Sequence, residues 1–297
     1  VDFTFASTVE VIALLNLTPI LVDVDPDTFN ININSLESAI TKKSKVIIPV
    51  HLFGQVANME EVMRLAKKYN LSIIEDTAQA IGANYKFDDG TKKKAGTIGN
   101  IGTTSFFPSK NLGAYGDGGA IFTNDDNLAI KIRGIVNHGM YKRYHHDIVG
   151  INSRLDSIQA AILNIKLKYL DDYNHSRKKS ALKYTKLLKN HPNIITPFIA
   201  GDKDSHVFHQ YTLILKDCVR DDLVEYLNLN KIPCGVYYPI PLHKQKAYQN
   251  KRFNEDDFTT TNRLSKSVIS LPMHTELDDD QIEFICKKIN FFFNRIK

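Results

Sequence analysis

Short apolar runs separated by helical patterns occupy the early part of the chain, and that rhythm restricts the fold more than any other feature. Residues 19–24, 46–50 and 71–76 read as strands, while 33–40 and 59–69 carry the spacing of helices. Strands that are apolar almost throughout, rather than alternating, belong to a sheet covered on both faces, and the intervening helices make that sheet mainly parallel. Further strands are expected at 103–107 and 119–123, then an amphipathic helix at 125–136. Helical periodicity across 155–172 and 176–189 forms a long link. From about His191, through Pro192, Pro197 and Gly201, the pattern changes to a strand at 207–215 and helices at 220–228 and 278–295. The expected organisation is α/β: a large domain over residues 1–190 that includes the helical link, and a smaller α+β domain over 191–297. With 297 residues and 43% hydrophobic content, the chain can bury a sizeable core.

Ligands of such sheets bind beyond the carboxyl ends of the strands, and the 71–76 strand ends in Asp76. Downstream, Lys110 lies in a run from Thr104 to Ala120 that also holds Gly113, Gly116, Gly118 and Gly119. A lysine in a glycine-dense turn, with a carboxylate at the end of a buried strand, is the pair that pyridoxal phosphate chemistry needs. The amine condenses with the cofactor aldehyde, and the carboxylate keeps the ring nitrogen protonated so that the ring withdraws electrons. The expected cofactor is therefore pyridoxal 5'-phosphate, with Lys110 and Asp76 as the catalytic residues. Each residue also has a plainer reading when taken alone. Lys110 is then a solvated surface lysine, the glycines a hairpin turn, and Asp76 an N-cap for residues 77–81.

Other residues can serve the same cofactor. Gln79 can hydrogen-bond the ring's phenolic oxygen. Ser105 and nearby backbone N–H groups can hold the phosphate, and Phe5 can stack on the ring face. The plain alternatives are a strand serine and a core aromatic. Phe106, Phe107 and Tyr115 flank the lysine, and Tyr115 is also a candidate for touching substrate. Arg154 can meet an anionic group, although a helix start explains the neighbouring Asn152 and Ser153. The cluster Lys142, Arg143, Tyr144, His145 and His146 suits a polyanionic substrate such as a sugar nucleotide. A metal site is disfavoured there because adjacent histidines lack a third ligand nearby. Tyr237, in the proline-stiffened segment 237–243, either lines a site or turns a corner.

Composition excludes several classes. A net charge of +5 is mild and its lysines and arginines are scattered, with no nucleic-acid motif beside them. Lys92, Lys93 and Lys94 follow an Asp-Asp-Gly turn and read as a solvated loop. The three cysteines are far apart and lack metal or redox spacing. No apolar run is long enough to span a bilayer, and no signal peptide opens the sequence. A cytoplasmic protein is the expectation. The sequence begins at Val1 without Met and inside what reads as a strand, so a piece lacking its N-terminal segment is expected.

The runs 73–82, 104–120, 152–161 and 238–243 together resemble the DegT-type nucleotide-sugar aminotransferases, whose fold is that of aspartate aminotransferase, PLP fold type I. The resemblance extends over essentially the whole chain. It implies that Lys110 bears the cofactor, Asp76 partners the ring nitrogen, Gln79 the ring oxygen, Ser105 the phosphate and Phe5 the ring face. It also implies that Asn152 reaches the cofactor phosphate of a neighbouring subunit, hence a homodimer with shared sites. Residues 105–110, 143–146 and 152–156 are most similar to enzymes that aminate C3 of UDP-2-acetamido-2-deoxy-3-oxo-glucuronate with glutamate, for surface polysaccharide biosynthesis. Tyr115, His145, Arg154 and Tyr237 are the substrate-binding candidates. Amination at C4 and a dTDP-linked substrate stay open, as does a non-catalytic regulatory protein on the same scaffold. A deoxysugar dehydratase of this fold would carry histidine in place of Lys110. The family's N-terminal segment, with its Gly-Thr or Gly-Ser phosphate loop and two strands, is not matched, and family members often have His where this chain has Tyr237.

Overall fold

The helix Met59–Tyr69 forms where its spacing predicts it, and its ends show why. The Asn58 side chain accepts a hydrogen bond from the Glu61 N–H, Glu60 and Glu61 sit in the first turn, and Lys67 and Lys68 in the last. Asn70, at φ 52°, closes the helix in the left-handed conformation. Its inner face buries Met59, Val62, Leu65 and Ala66 in one core with Ile47, Val50 and Ile73. The structure, a computed structural model, describes residues 1–295.

That core supports a four-stranded sheet in the order Val46–Ile47, Ser72–Asp76, Ile101–Ser105 and Gly119–Phe122. The first three strands run parallel, with Val46 opposite Ser72 and Asp76 opposite Thr103. The fourth is antiparallel, with Ser105 opposite Gly119. Flanking helices complete the mainly parallel α/β architecture of fold type I. The segment carrying Lys110 therefore joins two hydrogen-bonded strands, and it leaves and re-enters the sheet beside the carboxyl end of Asp76.

Neighbouring residues of the Ser72–Asp76 strand face opposite ways. Glu75 is fully buried and collects a set of donors: Gly96 N–H at 2.8 Å, Ile98 and Gly99 N–H at 2.6 Å each, and His51 Nε2 at 3.0 Å. Ala57 N–H donates to His51 Nδ1, which leaves Nε2 to donate to the carboxylate. Burial works against charge on Glu75, but His51 and the amides of Gly99 and Gly96 outweigh it and hold its carboxyl below the usual range. Glu75 thus fixes the 96–99 loop, and Asp76 is left for the other side.

Several expected elements differ. Residues 19–24 form no ladder. Leu21, Val22 and Val24 are buried, but among the described residues the segment's backbone pairing is limited to an Asp2 N–H to Val22 O bond and a bridge from Val24 to Ile31. The 46–50 strand stops at Ile47, because Pro49 has no N–H to give, and pairing resumes as a bridge between Val50 and Asp76. Lys92–Lys94 is a strand paired with Asn84–Lys86 rather than a loop, and Asp202 and Asp204 hold Lys92 at 2.7 and 3.3 Å. The 155–172 helix is divided into Ser157–Lys166, a 3-10 turn Leu167–Tyr169, and the helix Leu170–Leu188.

The C-terminal part is built on an antiparallel sheet of Ile194–Ile195, Tyr211–Leu215 and Val268–Leu271, covered by the helices Arg220–Leu229 and Asp279–Arg295. Its core includes Ala181, Tyr184 and Leu188 from the long helix. Asp23, itself buried, reaches over to the helix Thr259–Ser267 and accepts from Thr260 N–H, Thr261 N–H and Thr261 Oγ1. A remote carboxylate therefore serves that helix as its N-terminal cap.

Candidate active site

Asp76 is half-buried at its strand end. Thr8 Oγ1 donates to its Oδ2 at 2.6 Å, and the Ala78 N–H donates to its Oδ1 at 3.1 Å. Bonding to its own turn is the behaviour of a cap, but the bond from Thr8, on the helix Ser7–Leu14, serves no turn of its own. Both bonds orient the carboxylate and leave it lone pairs for a further partner.

Lys110 approaches from the other turn. Its N–H closes on Phe107 O at 2.9 Å, Ala114 N–H on Phe106 O and Phe106 N–H on Gly118 O, each at 2.8 Å. Gly113 is required here, because a Cβ would stand 2.3 Å from the Pro108 carbonyl oxygen. Burial pushes the Lys110 amine below its ordinary pKa, and the charge of Asp76 opposes this only in part. A lysine that is half-buried, shifted toward its neutral form and within the field of Asp76 is not an ordinary surface lysine.

Gln79 is buried between two partners: its Oε1 accepts from Phe53 N–H at 2.6 Å and its Nε2 donates to the Tyr238 hydroxyl at 3.1 Å. Tyr238 packs against Phe3 and Phe5, with ring centroids 6.0 and 6.3 Å away, and burial pushes its hydroxyl up to about 12. Phe5 itself is 59% exposed, so one ring face is open. Ser105 ends its strand with Oγ accepting from Phe107 N–H at 3.2 Å. Tyr238 thus joins Phe5 to Gln79, and the charge of Asp76 acts on both Tyr238 and Lys110, with Ser105 at the foot of the lysine turn.

The remaining candidates are exposed, although Tyr237 packs beside Tyr238 with ring centroids 6.0 Å apart. Asn152 is exposed; it pairs with Asn137 in a bridge and accepts from Arg154 Nε at 3.0 Å. His145 lies on an exposed hairpin formed by Met140–Lys142 and His145–His146. Tyr115 is 78% exposed and Tyr237 38%. Arg154 lines a cleft of about 920 Å³ with Thr103, Thr104, Gly118 and Gly119, and neither Asp76 nor Lys110 lines it. That cleft is open to solvent over much of its extent.

Three residues escaped the sequence reading. Thr8 lies far from Asp76 in sequence, and Tyr238 stood beside the chosen Tyr237. His209 is buried with Nδ1 lacking a partner among the described residues; burial, then the charges of Lys110 and Arg177, hold it well below its ordinary pKa. No local pattern distinguishes it from any core histidine.

The model of the DegT/DnrJ/EryC1/StrS aminotransferase family matches residues 1–290. The chain belongs to that family. It is 45% identical over 293 residues to a pleiotropic regulatory protein of Geobacillus stearothermophilus, covering 98% of this chain and 77% of the relative. It is 44% identical over 284 residues to the UDP-2-acetamido-2-deoxy-3-oxo-D-glucuronate aminotransferase of Pseudomonas aeruginosa, covering 96% and 76%. A crystal structure of a DegT DnrJ EryC1 StrS aminotransferase from Brucella abortus superposes with a TM-score of 0.91 at 38% identity, covering 98% of this chain and 77% of that one. The chain is therefore a sugar aminotransferase of this family, and pyridoxal phosphate is its cofactor. The cluster fits that group: a depressed lysine amine, a carboxylate with free lone pairs, an open aromatic face and a hydroxyl at a strand end. No helix of the described residues is long and apolar enough to cross a membrane.

Proposed function

We propose that this aminotransferase moves an amino group from glutamate to C3 of a UDP-linked 3-ketohexuronate, in the cytoplasm, for surface polysaccharide synthesis. The observation that carries the catalytic reading is the buried amine of Lys110 within the field of Asp76. Likeness to the Pseudomonas enzyme supports the choice of sugar. Pyridoxal phosphate, when bound, supplies an aldehyde for the amino group and an electron-withdrawing ring. Lys110 Nζ would hold that cofactor and, when free, could accept and return a proton beside it. Asp76 presents its charge to the ring nitrogen, Gln79 its amide to the ring oxygen, Ser105 its hydroxyl to the phosphate, and Phe5 its ring to the cofactor face. Tyr115, His145, Arg154 and Tyr237 contact the nucleotide sugar. Residues 1–190 form the cofactor domain and 191–297 the small domain.

The exposed position of Asn152 supports a site completed by a second copy of the chain, in a homodimer whose active sites are shared. A panel of UDP- and dTDP-linked 3-keto and 4-keto sugars, each supplied with glutamate, tests the substrate. The UDP-3-ketohexuronate should be turned over fastest, and faster turnover of a 4-keto or dTDP-linked sugar overturns the choice. The name of the Geobacillus relative favours a second reading, a regulatory role on this scaffold. Absence of cofactor attachment at Lys110 and of any transamination would establish that reading instead.

A further inference from the structure

Sheet pairing sets Asp76 opposite Thr103 but does not reach Lys110, which lies beyond the strand end at Ser105. The lysine turn is tight internally, so its aim depends on what fastens it from outside. Asn111, directly after Lys110 and buried, donates from Nδ2 to Asn174 Oδ1 at 2.7 Å and to Val207 O at 3.0 Å. Its own Oδ1 is buried without a partner among the described residues, so the amide is oriented wholly by these acceptors. Asn174, on the helix Leu170–Leu188, donates in turn from Nδ2 to Ile81 O at 3.1 Å. Ile81 lies in the turn that begins at Asp76 and carries Gln79.

Gly82 keeps this path open. It sits at φ +89°, and a Cβ there would stand 2.5 Å from Asn174 Nδ2. The turn is therefore shaped to admit the amide that grips it. Gln159 and Lys166 also brace the lysine turn, at Tyr115 N–H and Gly113 O. Asn174 differs from them in touching both turns.

We propose that Asn174 is a positioning residue that sets the lysine turn against the turn bearing Asp76 and Gln79, so that amine, ring partner and ring-oxygen partner meet one cofactor. This rests on Lys110 being the cofactor-bearing lysine. Two side-chain amides in series transmit the spacing, and losing the central one frees the lysine turn to shift relative to Asp76. Reaction geometry is sensitive to displacements of that order.

The test is attachment of pyridoxal phosphate to Lys110 at graded cofactor concentrations, fixed with borohydride and read by mass spectrometry of the Lys110 peptide. Asn174→Leu should need about tenfold more cofactor for half attachment. Gly82→Ala should behave alike, because its methyl displaces the same amide. The double variant Asn111→Ala, Asn174→Leu should be no worse than the poorer single one. Tyr184→Phe, on the same helix, removes only the bond to Pro272 O; it should lower thermal stability and leave attachment unchanged. Attachment by Asn174→Leu equal to the parent's, or a shift matched by Tyr184→Phe, overturns the proposal. If Asn174→Leu does not fold, Gly82→Ala and Asn111→Ala decide it in the same assay. No attachment at Lys110 in the parent removes the site assignment, and the positioning role with it.

Discussion

Thr8 Oγ1 and Asp76 Oδ2 lie 2.6 Å apart, so a hydroxyl at the start of the first helix steers the acid at the end of a central strand. A hydrogen bond to a carboxylate of this kind contributes about 1.5–3 kcal/mol. Thr8→Val keeps the shape and deletes the donor. Turnover should fall roughly tenfold to a hundredfold, with the loss in kcat rather than KM, as steady-state kinetics would show. Unchanged kcat would mean that Ala78 N–H alone suffices to hold the acid.

Replacing the acid itself should cost more. Asp76→Asn keeps the shape and can keep the bond from Ala78 N–H, with Thr8 Oγ1 turned to accept from the new amide, but removes the charge proposed to face the ring nitrogen. Cofactor should still attach to Lys110 while turnover falls by about two orders of magnitude. Near-normal turnover would reduce Asp76 to a turn cap.

The buried amine has a signature in stability. Burial lowers the Lys110 pKa from the 10.5 of the unfolded chain. Below the folded value both states hold the proton, and the native state bears the full penalty of an enclosed charge. Between the two values the unfolded chain binds more protons, so stability rises with pH, and the penalty is gone above 10.5. Cofactor-free Lys110→Met should therefore melt above the parent at neutral pH, and the gap should narrow toward the alkaline end. A gap that stays constant or widens contradicts the assignment of a buried cation.

Asp23 offers a test away from the chemistry. It accepts from Thr260 N–H and Thr261 N–H at 2.9 Å each and from Thr261 Oγ1 at 2.7 Å. Asp23→Ala strands these donors, at a cost of about 3 kcal/mol. Thermal unfolding should shift down by several degrees while cofactor attachment at Lys110 is retained.

The shared site can be tested by mixing chains. Lys110→Ala and Asn152→Ala homodimers should each be severely impaired, while a mixed dimer holds one site with both residues intact. Activity should return when differently tagged chains exchange. Verified exchange without activity would make Asn152 an ordinary helix-start residue.

Local chemistry explains what was legible in advance. The Met59–Tyr69 helix announces itself through Asn58, its charged ends and Asn70, and Asp76 through the apolar run before it. Hydrophobicity told that 21–24 is buried but not whether a neighbour pairs with it. Lys92, Lys93 and Lys94 are exposed as expected, but polarity does not show that they pair with Asn84–Lys86 or that Asp202 and Asp204, far along the chain, meet Lys92. Thr8, Asn174 and His209 share that difficulty: their roles exist only once distant segments meet, and no spacing rule encodes them.

Glu75 and Asp76 are adjacent acids with separate destinies, one saturated by Gly96, Ile98, Gly99 and His51, the other held by Thr8 and Ala78 with its charge acting on Lys110. Strand alternation alone keeps them apart. Inserting a single residue between Ser72 and Ile74 would exchange their faces, taking Glu75 from its four donors and setting Asp76 against them instead. The length of this short strand therefore decides which of the two acids keeps which partners.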